Sequence, residues 1–96
     1  MSKVSYGTGR RKSSVARVTL LEGEGNFTFN GKSFEDYFPT ESMRTRVAKP
    51  LVVAKLENKF DLQVNVKGSG LSAQAEAVSL GLARALVEYD SSLRSD

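Results

Sequence analysis

The sequence predicts a two-layer sandwich of the α/β (α+β) type, a small sheet with helices laid on it, and three observations carry that expectation. Phe60, Leu62, Val64 and Val66 alternate with Asp61, Gln63, Asn65 and Lys67, the period-two pattern of a strand with one buried face. Ala16, Val18 and Leu20 alternate in the same way with Arg17 and Thr19. Leu71, Ala75, Val78, Leu82, Leu86 and Tyr89 recur at three- and four-residue spacings, which draws one apolar stripe along a long helix. Strands, then short helices, then a strand and a helix are the element order of a sheet covered by helices in two layers.

Residues 1–13 have almost no hydrophobic periodicity and read as a basic, extended arm, leaving 14–96 as a single globular domain. A strand runs from Val15 to Leu21, and Glu22-Gly23-Glu24-Gly25 makes a turn in which two glycines can take positive φ. Phe27 and Phe29 alternate with polar neighbours and point to the core, so this stretch reads as part of a β-hairpin, closed by Asn30-Gly31. Ser33, with Asp36 three residues on, opens a short helix that Pro39 stops. Thr40 is the N-cap of a second helix through Lys49, and Pro50 ends it or opens a further turn. Residues 51–57 fit helix and strand equally well. After the strand at 60–67, Gly68-Ser69-Gly70 breaks the chain and the long helix begins. Gly81 in mid-helix costs about 1 kcal/mol relative to alanine, which points to close packing on the sheet.

Composition narrows the function. Ninety-six residues make one small domain, without cysteine and without histidine. Disulfides, thiolate nucleophiles and the usual general base are thereby removed, together with the commonest metal ligands, so no cofactor is expected. No stretch is long enough to span a membrane, and the first residues are polar where a signal peptide would be apolar. The net charge of +3 conceals a banded distribution. Lys3, Arg10, Arg11, Lys12 and Arg17 stand among the first twenty residues with no acid, whereas 21–41 are acidic, 42–70 basic and 71–96 acidic. A surface with such a band presents a positive field to a polyanion.

The candidate site is the run Tyr6-Gly7-Thr8-Gly9-Arg10-Arg11-Lys12-Ser13. Its glycines free the backbone, its cations and hydroxyls suit phosphate, and Tyr6 offers a base a ring to stack on. Lys67-Gly68-Ser69-Gly70 joins a strand to a helix N-terminus, where unpaired amides and the positive end of the helix dipole can hold a phosphate. The same glycines also serve a tight turn. Neither cluster is a nucleotide-binding fingerprint: Gly7-Thr8-Gly9 lacks a third glycine, and the Gly68 loop lacks the lysine and hydroxyl that close a P-loop. Arg46 and Lys49 share a face of the second helix while Arg44 points elsewhere, and Glu35 and Asp36 stabilise a helix start.

The run from Tyr6 to Val18, the Asn30-Gly31-Lys32 turn, Tyr37-Phe38, Pro50-Leu51, Phe60-Asp61-Leu62, Val66-Lys67-Gly68 with Gly70, Ala83-Arg84-Ala85-Leu86 and Tyr89-Asp90 together resemble small-subunit ribosomal protein nine of the bacterial and organellar type. The resemblance covers nearly the whole chain in order. It implies a fold like the second domain of ribosomal protein five, and a structural, non-enzymatic role in the head of the small subunit on 16S-type rRNA, beside neighbouring head proteins. The implied location is a ribosome, cytoplasmic or organellar. The RNA-binding residues it implies are Lys3, Tyr6, Thr8, Arg10, Arg11, Lys12, Ser13 and Arg17 in the arm, then Lys67, Gly68, Ser69, Gly70 and Gln74.

Two departures accompany the resemblance. The long helix opens as Ala73-Gln74-Ala75-Glu76-Ala77-Val78-Ser79, where the family has glycines and then a basic residue, so Glu76 and Ser79 weaken RNA contact there or turn that helix to something else. The family also carries a basic tail that approaches tRNA in the peptidyl site. This sequence ends at Asp96, as a fragment or as a lineage without the tail, so the resemblance transfers the tRNA contact to no residue present here and leaves that contact doubtful. Two other readings stand beside the ribosomal one: a related domain redeployed as a protein-interaction module, and a small phosphate- or nucleotide-binding enzyme, for which the sequence offers no nucleophile–base pair.

Overall fold

The computed structural model describes residues 4–90. In chain order the elements are β1 (Val4–Arg11), β2 (Ser14–Glu22), β3 (Phe27–Phe29), β4 (Lys32–Ser33), α1 (Phe34–Tyr37), α2 (Glu41–Val53), β5 (Phe60–Lys67) and α3 (Leu71–Tyr89). One five-stranded sheet has the order β1-β2-β5-β3-β4. The helices cover one face of it, so the fold is the expected two-layer α+β sandwich. Ala16, Val18 and Leu20 of β2 and Leu62, Val64 and Val66 of β5 are buried on that face. They meet Val47 and Leu51 of α2 and Val78, Leu82 and Leu86 of α3 in one core. Leu71, expected in the apolar stripe, is the first helical residue and stays exposed.

Both short-helix starts form as their sequences dictate. The Ser33 hydroxyl accepts a hydrogen bond from the Asp36 amide at 3.3 Å, and Thr40 accepts from the Met43 amide at the same distance. Proline does not stop α2, which continues one turn past Pro50 to Val53; residues 54–59 are turns, with Lys55 and Asn58 at positive φ.

Two expectations are corrected. Residues 4–11, read as an arm, are extended but form the edge strand of the sheet, antiparallel to β2 from Val4 opposite Leu21 to Arg11 opposite Ser14. The alternation test misses this strand because its inward positions are Ser5, Gly7 and Gly9 rather than apolar residues. Those glycines are there for packing. A Cβ on Gly9 would overlap the Ala77 carbonyl oxygen, and one on Gly7 would sit 2.5 Å from the Ala85 amide nitrogen. Gly81 faces them, with its own absent Cβ 3.0 Å from the Gly9 nitrogen and 2.9 Å from Val18 Cγ2. Three glycines thus let α3 lie directly on the backbone of β1.

The second correction concerns β2 and β3, which are not neighbours. β5 runs between them, antiparallel to β2 and parallel to β3. The Asp61 carboxylate accepts hydrogen bonds from the amides of Glu24, Gly25 and Asn26 at 2.9–3.1 Å, which holds the Glu22–Gly25 turn across the end of β5. The tight hairpin is β3–β4, through Asn30 at φ 54° and Gly31 at φ 81°, the pair of positive φ values that a type I′ turn requires.

Candidate nucleic-acid interface

The face of the sheet that the helices leave open carries five of the thirteen predicted site residues. Because side chains alternate along a strand, Tyr6, Thr8 and Arg10 of β1 emerge there beside Arg17 and Thr19 of β2 and Gln63, Asn65 and Lys67 of β5. Thr8 lies opposite Arg17, and Arg17 opposite Asn65, so the three strands present one continuous polar strip. Tyr6 is 61% exposed, with its ring available to a stacked base. A shallow groove of about 240 Å³ on this face is lined by Val15, Arg17, Asn30, Asn65, Val66 and Lys67.

At the end of the strip the two glycine-and-cation clusters meet. Lys12 and Ser13 are the two-residue turn between β1 and β2, with Lys12 held at φ 56°. Gly68 takes φ 120°, and a Cβ there would press on Ser14 Cα and the Ser13 carbonyl. The hydroxyls of Ser13 and Ser69 are hydrogen-bonded to each other. The β1–β2 turn and the loop before α3 therefore form one surface, although 56 residues separate the two serines. Gly70 is the N-cap of α3 and supplies no side-chain cap. The first amides of a helix have no intrahelical partner, and these lie beside Lys67 and Ser69.

Gln74 has a different position from its neighbours in the motif. It is buried, and its amide group is committed within the chain. Nε2 donates to the carbonyls of Gly68 at 3.3 Å and Ser69 at 2.9 Å, while Oε1 accepts from the Tyr37 hydroxyl at 2.6 Å. Burial pushes the Tyr37 phenol above its ordinary pKa, and the hydrogen bond from Asn30 opposes that shift. Asn30 in turn pins the end of β3 to β5: its Nδ2 donates to the Val66 carbonyl at 2.8 Å and its Oδ1 accepts from the Val66 amide at 2.9 Å. Asn30, Tyr37 and Gln74 thus hold the Gly68 loop from behind.

The three consecutive cations do not share a surface. Arg10 points to the open face, Lys12 sits at the turn, and Arg11 reverses to the helical side, where its Nε is 2.5 Å from Glu76 Oε1. The other oxygen of Glu76 lies 3.5 Å from Arg46 Nη1. Arg46 also donates to the Ser72 hydroxyl, and Arg44 donates to the Phe38 carbonyl at 2.8 Å. Lys3 lies outside the described residues. Sequence reasoning missed Gln63 and Asn65 as members of the interface, though their alternation with Leu62, Val64 and Val66 already placed them on the Lys67 face. It had no signal for Asn30 as a strut, because that bond joins two strands distant in sequence.

Among the described residues no group of three or more His, Cys, Asp or Glu could hold a metal ion, and no helix is long and apolar enough to cross a membrane. The family model described as ribosomal protein S9/S16 matches residues 9–96. The small ribosomal subunit protein uS9 of Maridesulfovibrio salexigens is 51% identical over 96 residues, covering 99% of this chain and 74% of that protein. Its counterpart from Desulfovibrio desulfuricans is 50% identical over 92 residues, covering 96% of this chain and 71% of its own length. On that match across nearly every residue, the chain belongs to the ribosomal protein S9/S16 family.

Proposed function

We propose that this protein is a structural, non-enzymatic constituent of the small ribosomal subunit, and that it lies on 16S-type rRNA of the subunit head through the open face of its sheet. The family membership supports the first part. The observation that carries the second is the strip of Arg10, Arg17 and Lys67 beside exposed Tyr6, ending at the joined Lys12 turn and Gly68 loop. Cations there neutralise phosphates, Tyr6 stacks on an unpaired base, and Thr8, Ser13 and Ser69 offer hydroxyls to phosphate or ribose. The amides of residues 68–70 approach phosphate closely because the glycines carry no side chain. Gln74 acts through the loop it holds.

Salt dependence tests this reading. If Arg10, Lys12, Arg17 and Lys67 each neutralise one phosphate, log affinity for a 16S-type rRNA fragment falls with log salt at a slope of about −3 to −4. An affinity that barely responds to salt overturns the phosphate contacts. Tight binding of a nucleotide without RNA binding would return the enzyme reading.

A further inference from the structure

The helical side carries a second surface. A cleft between α2, α3 and the end of β1 is lined by Arg11, Arg46, Lys49, Glu76, Ser79 and Leu80. Three cations surround one carboxylate, so the cleft keeps a positive balance with Glu76 at its centre. Arg11 and Arg46 are held by the two oxygens of Glu76. Lys49 has no hydrogen-bond or ion-pair partner among the described residues. Leu80 is 44% exposed at the edge of the cleft. Val53, one helical turn beyond Lys49 on the same side of α2, is 68% exposed. None of these residues, Arg11 included, emerges on the open face of the sheet, which lies across the domain.

We propose that this cleft is a docking site for a neighbouring protein that presents a carboxylate flanked by an aliphatic side chain. The inference rests on the ribosomal reading, since it assigns the face of the domain turned away from the RNA. Charge complementarity selects an anion: a partner carboxylate at Lys49 and Arg46 completes a lattice in which two acids share three cations. The aliphatic side chain at the edge of the cleft selects protein over RNA. Leu80 supplies an apolar anchor rimmed by polar groups, the composition of a protein-interaction patch, and a phosphate backbone offers nothing to bury against it. Among the described residues no aromatic ring lines the cleft for a base to stack on.

Site-specific photocrosslinking in assembled small subunits tests the assignment. The photoreactive amino acid p-benzoylphenylalanine replaces Leu80 in one chain and Tyr6 in another, and each chain is incorporated into subunits before irradiation. The expected product at position 80 resists nuclease and is destroyed by protease, identifying a protein partner. The product at position 6 is nuclease-sensitive, which checks the RNA face separately. A nuclease-sensitive product at position 80, or none at all in subunits that crosslink at position 6, overturns the docking site. Failure at position 6 instead strikes the RNA reading. Leu80→Asp provides a second measurement. Its side chain is exposed, so folding survives, and competition against the parent chain for incorporation is expected to fall about tenfold, the value of one buried aliphatic anchor. Equal incorporation by a folded Leu80→Asp chain overturns the proposal.

Discussion

At the scale of single residues, Gly7, Gly9 and Gly81 decide how closely α3 approaches the sheet. Their meaning differs from the conformational freedom usually credited to glycine: none of the three has positive φ. What matters is the absent Cβ. Gly9→Ala would drive a methyl group into the Ala77 carbonyl oxygen and to within 2.4 Å or so of the helix backbone at Gly81, and neither neighbour is a flexible side-chain tip that could move aside. The helix would have to lift from β1, loosening Val78 and Leu82 beneath it. We expect Gly9→Ala to destabilise the fold by at least about 1–3 kcal/mol, the cost of overpacking a tight contact, as read from chemical denaturation. Gly31→Ala serves as the contrast, because nothing lies within 4 Å of a Cβ there and the cost arises only from its φ of 81°. If Gly9→Ala leaves stability unchanged, close helix–strand contact is not what the glycine provides.

At the scale of elements, the loop between β2 and β3 shows what fixes the strand order. Asp61 collects three backbone amides from residues 24–26, and those bonds hold its carboxyl below the usual carboxylate range, the one to the Asn26 amide contributing most and desolvation opposing. A carboxyl whose folded pKa is depressed stabilises the fold above its unfolded value and loses that contribution as pH falls through the folded value. Asp61→Asn should therefore lower the melting temperature at neutral pH, with the gap to the parent narrowing below about pH 4. A gap of constant size from pH 7 to pH 3 would mean the ionised carboxylate is not what anchors the loop. This anchoring also marks the limit of what could be read from the chain. β2, β5 and α3 were legible because each buries an alternating or helical apolar set against the core, and Ser33 and Thr40 announced their helices through local capping. The position of β5 between β2 and β3 depends on bonds from Asp61 to residues some 35 positions away, and no local pattern encodes them. β1 was illegible for the opposite reason, since its inward face is glycine and serine. In the candidate site, the cationic strip was legible as residues and illegible as a surface: only strand register brings Arg17 beside Thr8 and the Gly68 loop against Ser13.

At the scale of the whole molecule, a sheet covered on one side divides the charged residues between two directions, and the Arg10-Arg11-Lys12 run straddles the division. Alternation sends Arg10 to the open face and Arg11 to the helices, where Glu76 at 2.5 Å partly neutralises it. The two arginines are adjacent in sequence, equal in charge and opposite in direction, which makes them a sharp internal comparison. For binding to an isolated 16S-type rRNA fragment, Arg10→Ala should weaken affinity and make the salt slope shallower by about 0.7–0.9, the loss of one neutralised phosphate. Arg11→Ala should leave that slope nearly unchanged, because its guanidinium faces away from the strip. Both side chains are exposed, and an exposed ion pair such as Arg11–Glu76 is worth only about 0–1 kcal/mol, so both variants should fold and neither result would be confounded by unfolding. Measuring both slopes over a range of salt near about 50–200 mM separates the alternatives. Equal losses from the two substitutions would mean that RNA reaches the helical side as well, and that the division of the molecule into an RNA face and a protein face does not hold.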